Sequence, residues 1–322
     1  MTPTILPRRH AILVVGSLNM DLVFEVPRMP HPGESLVGQR YSRIPGGKGA
    51  NQAVGLARLG AKVTLAGKIG RDADGAKLLE VLKEEGIATN FVFTAEETAT
   101  GLAVILLDHT GQNAIVTYPG ANLDLKEADI QTAFAAGGFD ALMLQLEVPN
   151  EIIIASYQFA KKMGIPTFLD AGPARTFPLE QIRGIDVLSP NETEVLALTG
   201  IEVRSIADAE LCAAELMFRS DAKAVVIKLG AAGALLRTAD GRCEHFRARK
   251  VNVVDSTAAG DAFMAALMIR YLETTDLRES VTYANLAGAL ATTRLGAQPS
   301  LPTALEIEVS SQQWQRRMGS HV

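Results

Sequence analysis

Ala11-Ile12-Leu13-Val14-Val15-Gly16 is an unbroken apolar run closed by glycine, and it reads as a strand buried on both faces. A half-exposed strand would alternate apolar and polar residues; a run with no polar position needs cover above and below. Outward from it the helix period takes over. Gly49 to Leu59 reads as a helix stopped by Gly60, and Lys62 to Ala66 as the next strand. Ala141 to Leu146, Pro166 to Asp170, Asp186 to Leu188 and Ala224 to Leu229 read as further central strands. Helices are predicted at Asp74 to Glu85, Asn150 to Met163, Glu192 to Thr199, Ile206 to Phe218 and Ala258 to Tyr271. Such alternation predicts an α/β fold around a parallel sheet. Two regions break it. Leu22 to Ile44 carries Pro27, Pro30, Pro32 and Gly33 between short β-like pieces, and Gly101 to Tyr118 reads as two strands about the turn Asp108-His109-Thr110-Gly111. Lacking helices to cover them, these strands predict a small separate sheet that acts as a lid or a dimer contact.

The 322 residues can bury a large core. With 31 basic and 36 acidic residues the net charge is −5, and the basic residues are dispersed, so no footprint for nucleic acid is visible. Cys212 and Cys243 lack the spacing of a zinc site or a disulfide framework, which fits a reducing cytosol. No apolar run approaches a membrane span, and the opening MTPTILPRRH has charge without a following apolar core. Residues 1–10 are expected to form a flexible arm, 11–309 one domain, and 310–322 a polar tail that is loose from Trp314 onward.

Five short motifs carry chemistry. In Val254-Asp255-Ser256-Thr257-Ala258-Ala259-Gly260-Asp261, an acid and a glycine open an apolar helix. The amides of Ala258, Ala259, Gly260 and Asp261 would be unpaired donors able to hold an anion, and Asp261 could take a proton from an attacking hydroxyl. The same pair also reads as an ordinary helix cap. Gly46-Gly47-Lys48-Gly49-Ala50-Asn51-Gln52 is not a P-loop, because Gly49 follows the lysine and Ser42 stands where the first glycine belongs. Nor does it follow the first strand directly, as a dinucleotide fingerprint would. Its backbone freedom, with Lys48 and Asn51 nearby, suits a small polyhydroxylated ligand or simply a turn. Asn19-Met20-Asp21, Gln145-Leu146-Glu147 and Ser189-Pro190-Asn191-Glu192-Thr193-Glu194 all lie at carboxyl ends of strands, where open α/β sheets bind ligands. Asn191 and Glu194 share a helix face suited to a magnesium-bound triphosphate.

In this order GSLNMD, GGKGANQAV, LMLQLEVP, SPNETE, KLGAAG, VDSTAAGDAF and GAQPSLP resemble the motifs of the ribokinase-like (PfkB) carbohydrate kinases, from Ala11 to about Leu301. The resemblance implies a three-layer sandwich with a mostly parallel central sheet and a β-sheet lid from about 20–45 and 101–118. It implies a cytoplasmic, ATP-dependent kinase acting on the 5-hydroxyl of D-ribose, and a homodimer paired through the lid. Other small substrates remain open (2-deoxyribose, fructose, a nucleoside), as does a sugar sensor without turnover. Carried over by residue, Asn19, Asp21, Gly47, Lys48, Asn51 and Glu147 would hold the sugar, and Asn191, Glu194, Lys228, Gly230, Gly233, Gly260 and Asn285 would line the ATP site. Glu194 would bind magnesium through water. Asp261 would be the base and the amides 258–261 the anion hole. Potassium would be held by Asp255, Thr257, Ser300 and the carbonyls of Ala291, Arg294 and Gly296. Three positions depart from the commonest form: Asp170 replaces a frequent asparagine, and Lys228 and Ser256 replace frequent threonines. Asp170 and Lys228 carry opposite charges that can offset one another.

Overall fold

A computed structural model describes residues 9–109 and 112–319. The central sheet has nine strands: β1 (Ala11–Val15), β4 (Lys62–Gly70), β5 (Ala88–Ala95), β8 (Ala141–Gln145), β9 (Thr167–Asp170), β10 (Val187–Ser189), β11 (Ala224–Lys228), β12 (Ala234–Thr238) and β13 (Cys243–Phe246). Their order is β13-β12-β11-β10-β9-β8-β1-β4-β5, and every pair is parallel except β11–β12 and β12–β13. That antiparallel edge hairpin was not read from the sequence, nor was β5. A second sheet of four strands, β3-β2-β6-β7, is built from β2 (Asn19–Val26), β3 (Arg40–Gly46), β6 (Gly101–Asp108) and β7 (Asn113–Tyr118). These are the two regions predicted to form the lid. Of the turn expected between β6 and β7, Thr110 and Gly111 lie outside the described residues.

Successive residues of β1 feed two different cores, as the period of two requires. Ile12 and Val14 pack with α1 (Lys48–Arg58), α2 (Ala73–Glu84), α7 (Ala259–Thr274) and α8 (Leu277–Ala291). Leu13 and Val15 pack with α3 (Glu127–Ala136), α4 (Asn150–Lys162), α5 (Glu192–Thr199) and α6 (Ile206–Ser220). Helices therefore cover both faces, giving three layers with the lid at one end of the sheet. Every residue of α7 from Asp261 to Ile269 is buried, the pattern of a helix enclosed on all sides. Two more helices follow, the short α9 (Ala297–Ser300) and the longer α10 (Ala304–Gly319). The tail expected to be loose is thus helical as far as Gly319, with Trp314 packed against the core and the Arg249 guanidinium 4.7 Å from its ring centre. At the other end the His10 carbonyl accepts the Lys62 amide, so the described chain is pinned from there, while 1–8 lie outside the described residues. No helix among the described residues is long and apolar enough to cross a membrane.

Candidate active site

The site begins where β1 ends. Gly47 has φ +87°, a left-handed backbone that glycine adopts without strain. Gly49 lies so close to the end of β1 that a Cβ there would stand 2.5 Å from the Ser17 nitrogen and 2.6 Å from the Gly16 carbonyl carbon. This contact docks the start of α1 on the sheet edge, and the Ala50 amide donates to the Ser17 carbonyl at 2.9 Å. The docking aims Lys48, Asn51 and Gln52 at the start of α7.

Asp261, in the first turn of α7, accepts hydrogen bonds from Asn51 Nδ2 at 2.9 Å and Gln52 Nε2 at 3.0 Å. The Lys48 ammonium lies 3.7 Å from Asp261 and 3.0 Å from Asp170. Asp170, fully buried at the end of β9, also accepts from Gln52 Nε2 at 2.8 Å and pairs with Lys228. Burial is the largest influence on the Asp261 carboxyl and pushes it upward; Lys48, Asn51 and Gln52 pull it back, Asp170 adds to the rise, and the net is above the usual range. For Asp170 burial also opposes ionisation, but Lys228 and Lys48 outweigh it and hold the carboxyl below its ordinary value. Lys48 loses to burial but is held well above the ordinary lysine range by Asp170, Asp261, Glu194 and Glu147.

Of the residues assigned to the sugar, Asp21 is buried with its carboxyl pushed up to about 7, by burial first and then by Glu147 and Asp261. Glu147 accepts the Lys48 amide at 2.9 Å and the Ser17 hydroxyl. Asn51 Oδ1 is buried and has no partner, an acceptor suited to a hydroxyl donor. Asn19 Oδ1 accepts from Asn122 Nδ2 at 2.8 Å.

Asn191 and Glu194 form a reciprocal cap on α5: Asn191 Oδ1 accepts the Glu194 amide at 2.8 Å, and Glu194 accepts the Asn191 amide at 2.7 Å. The Lys228 ammonium is 3.7 Å from Glu194. Gly233 has φ +106°, and a Cβ there would strike the Phe246 carbonyl, whose oxygen also accepts from Asn285 Nδ2 at 3.1 Å. Gly230 is left-handed at the same turn. Ala258 also has positive φ, +59°, uncommon for a residue with a side chain. Of the four amides expected to hold an anion, that of Ala259 donates to the Ser256 carbonyl at 3.2 Å, which leaves those of Ala258, Gly260 and Asp261 as the donors. Asp255 accepts the Thr257 amide and hydroxyl and, at 2.8 Å, the Gly296 amide, so those three residues do converge. The Ala291 carbonyl accepts the Arg294 amide at 3.4 Å, and the Ser300 hydroxyl donates to the Ala297 carbonyl.

Reading motifs missed Gln52 and Gln145. Gln145 Nε2 donates to Gln52 Oε1 at 2.6 Å, and Gln52 in turn donates to both Asp170 and Asp261. The available signal was two adjacent amides, Asn51 and Gln52, on a helix whose other buried side chains are apolar.

A family model described as pfkB family carbohydrate kinase matches residues 9–304. The ribokinase of Haemophilus influenzae is 38% identical over 299 residues, 92% of this chain and 97% of its own. The structure of Arabidopsis thaliana ribokinase complexed with ribose and ATP superposes with a TM-score of 0.84 at 32% identity, covering 93% of this chain and 98% of that one. Ribokinase from Thermotoga maritima gives 0.82 at 35% identity, with 93% and 98% covered.

Proposed function

Because this chain belongs to the pfkB family of carbohydrate kinases, we propose that it transfers the γ-phosphoryl group of ATP to the 5-hydroxyl of D-ribose, giving ribose 5-phosphate and ADP. The observation that carries the reading is Asp261, a buried carboxylate held by Asn51 and Gln52. We assign Asn19, Asp21, Gly47, Lys48, Asn51 and Glu147 to the sugar, and Asn191, Glu194, Lys228, Gly230, Gly233 and Asn285 to ATP. Asp261 takes the hydroxyl proton as the oxygen attacks phosphorus, and the amides of Gly260 and Asp261 with Lys48 stabilise the charge on the transferred group. Kinetics with ribose, 2-deoxyribose, fructose and adenosine test this reading. Ribose should have the highest kcat/KM; another preferred substrate would replace it, and no ATP-dependent turnover of any would favour a sensor.

Glu194, with its carboxylate held by the α5 cap, would hold magnesium through water, supplying charge neutralisation at the phosphates. A carboxylate has about four acceptor sites, and Asp255 uses three on Thr257 and Gly296, which leaves it able, with Thr257, Ser300 and the carbonyls of Ala291, Arg294 and Gly296, to hold a potassium ion. Turnover should rise on adding potassium chloride to potassium-free enzyme; equal rates would remove that assignment. The lid exposes Val37, Tyr41, Val116 and Tyr118, which supports a homodimer paired through it. The two free cysteines are consistent with a cytoplasmic enzyme.

A pH dependence follows. Asp21 can accept hydroxyls on both carboxylate oxygens only when ionised, and its carboxyl sits at about 7, while that of Asp261 is also raised. Protonation of Asp21 as pH falls through that value weakens its hold on the sugar, so kcat/KM for the sugar should climb between about pH 6 and about pH 8. A flat profile there would exclude Asp21 as a titrating group.

A further inference from the structure

The departures at positions 170 and 228 meet in space. Asp170 is wholly buried, and Lys228 is largely so. The Lys228 ammonium also lies 3.8 Å from where a Cβ on Gly260 would stand, which puts it beside the first-turn amides of α7. The site holds five carboxylates, Asp21, Glu147, Asp170, Glu194 and Asp261, against two ammonium groups, Lys48 and Lys228. A polyphosphate entering such a field meets net repulsion unless the cations face it. Lys48 pairs with Asp170 and lies 3.7 Å from Asp261, the base, whereas Lys228 pairs with Asp170 and lies 3.7 Å from Glu194, and an ammonium has three donors. Asp170 engages one of them, leaving others for phosphate oxygens.

We propose that Lys228 contacts the phosphoryl group in transfer, and that Asp170, which touches no substrate, is the positioning residue that holds the ammonium beside the helix start. This rests on the kinase reading above. Asp170 also ties the phosphate side to the base, since Gln52 and Lys48 each bridge it to Asp261. The pair thus does more than neutralise buried charge.

Lys228→Met alone would take from the buried Asp170 carboxylate one of its two cations, leaving Lys48, and cost folding stability. The informative variant is therefore Asp170→Asn/Lys228→Met, compared with Asp170→Asn, which perturbs Lys48 equally. Asp170→Asn, which releases the ammonium, should itself lower kcat, and the double should fall below that single variant and roughly 10²-fold below wild type, the scale of one lost transition-state donor, with sugar KM changed less than about twofold. By calorimetry it should bind ATP more weakly and ADP equally well. If kcat and ATP affinity match those of Asp170→Asn, or if ADP binding weakens as much as ATP binding, Lys228 does not contact the transferred group and the proposal is overturned. Wild-type protein with no ATP-dependent turnover would instead strike the kinase reading itself.

Discussion

Asp261→Asn should cut turnover by ~10²–10⁴-fold, equivalent to about 3–5 kcal/mol of barrier, while ATP and sugar still bind. The substitution keeps shape and removes only the ability to take a proton. Its folding cost should be small for a specific reason. Asp261 now accepts from Asn51 and Gln52, and an amide at 261 would turn its NH₂ toward one of them. Asn51 Oδ1 has no partner, so a flip of the Asn51 amide presents an acceptor to the new NH₂ and restores the pair. Steady-state kinetics with thermal melting decide the matter. A variant that melts like wild type and turns over at the wild-type rate would take Asp261 out of the mechanism.

Gly49→Ala should destabilise the fold by about 3 kcal/mol or more, although alanine is the better helix former. The added methyl would sit 2.5 Å from the Ser17 nitrogen and 2.7 Å from its carbonyl oxygen, and both are backbone atoms that cannot swing aside. Relief requires α1 to lift from the end of β1, which would also withdraw Lys48, Asn51 and Gln52 from Asp261 and Asp170. Stability and activity should therefore fall together. Unchanged denaturant midpoint and kcat would show that the loop is glycine-rich for freedom of motion and not for close approach.

That distinction marks where motif reading stopped. The three glycines of the loop suggested backbone freedom near a ligand, and only the coordinates show that Gly49 is set by contact with Ser17 and Gly47 by its positive φ. The edge hairpin β12–β13 escaped notice because its strands are short and β12 follows directly on a 3-10 turn at Gly230–Ala232. Helix α8, which carries Asn285, was not singled out either, though Asp276 caps it through the Arg278 and Glu279 amides. The helical tail had the same cause: a polar stretch reads as loose until a partner such as Arg249 for Trp314 is known.

The sequence by itself determined the α/β class, the strands β1, β4 and β8 to β11, the lid segments and the helix start that presents Asp261, because local periodicity, glycine stops and caps act over a few residues. It also placed acids at several strand ends. Tertiary structure alone decided which of these groups meet. Asn51 reaches Asp261 across 210 positions of chain, Gln52 reaches Asp170 across 118, and Lys228 reaches Asp170 across 58. Contacts so distant in sequence leave no periodic trace. They exist because β9 and β11 end, and α1 and α7 begin, at the same end of the sheet, where a charge is read by what the fold brings beside it.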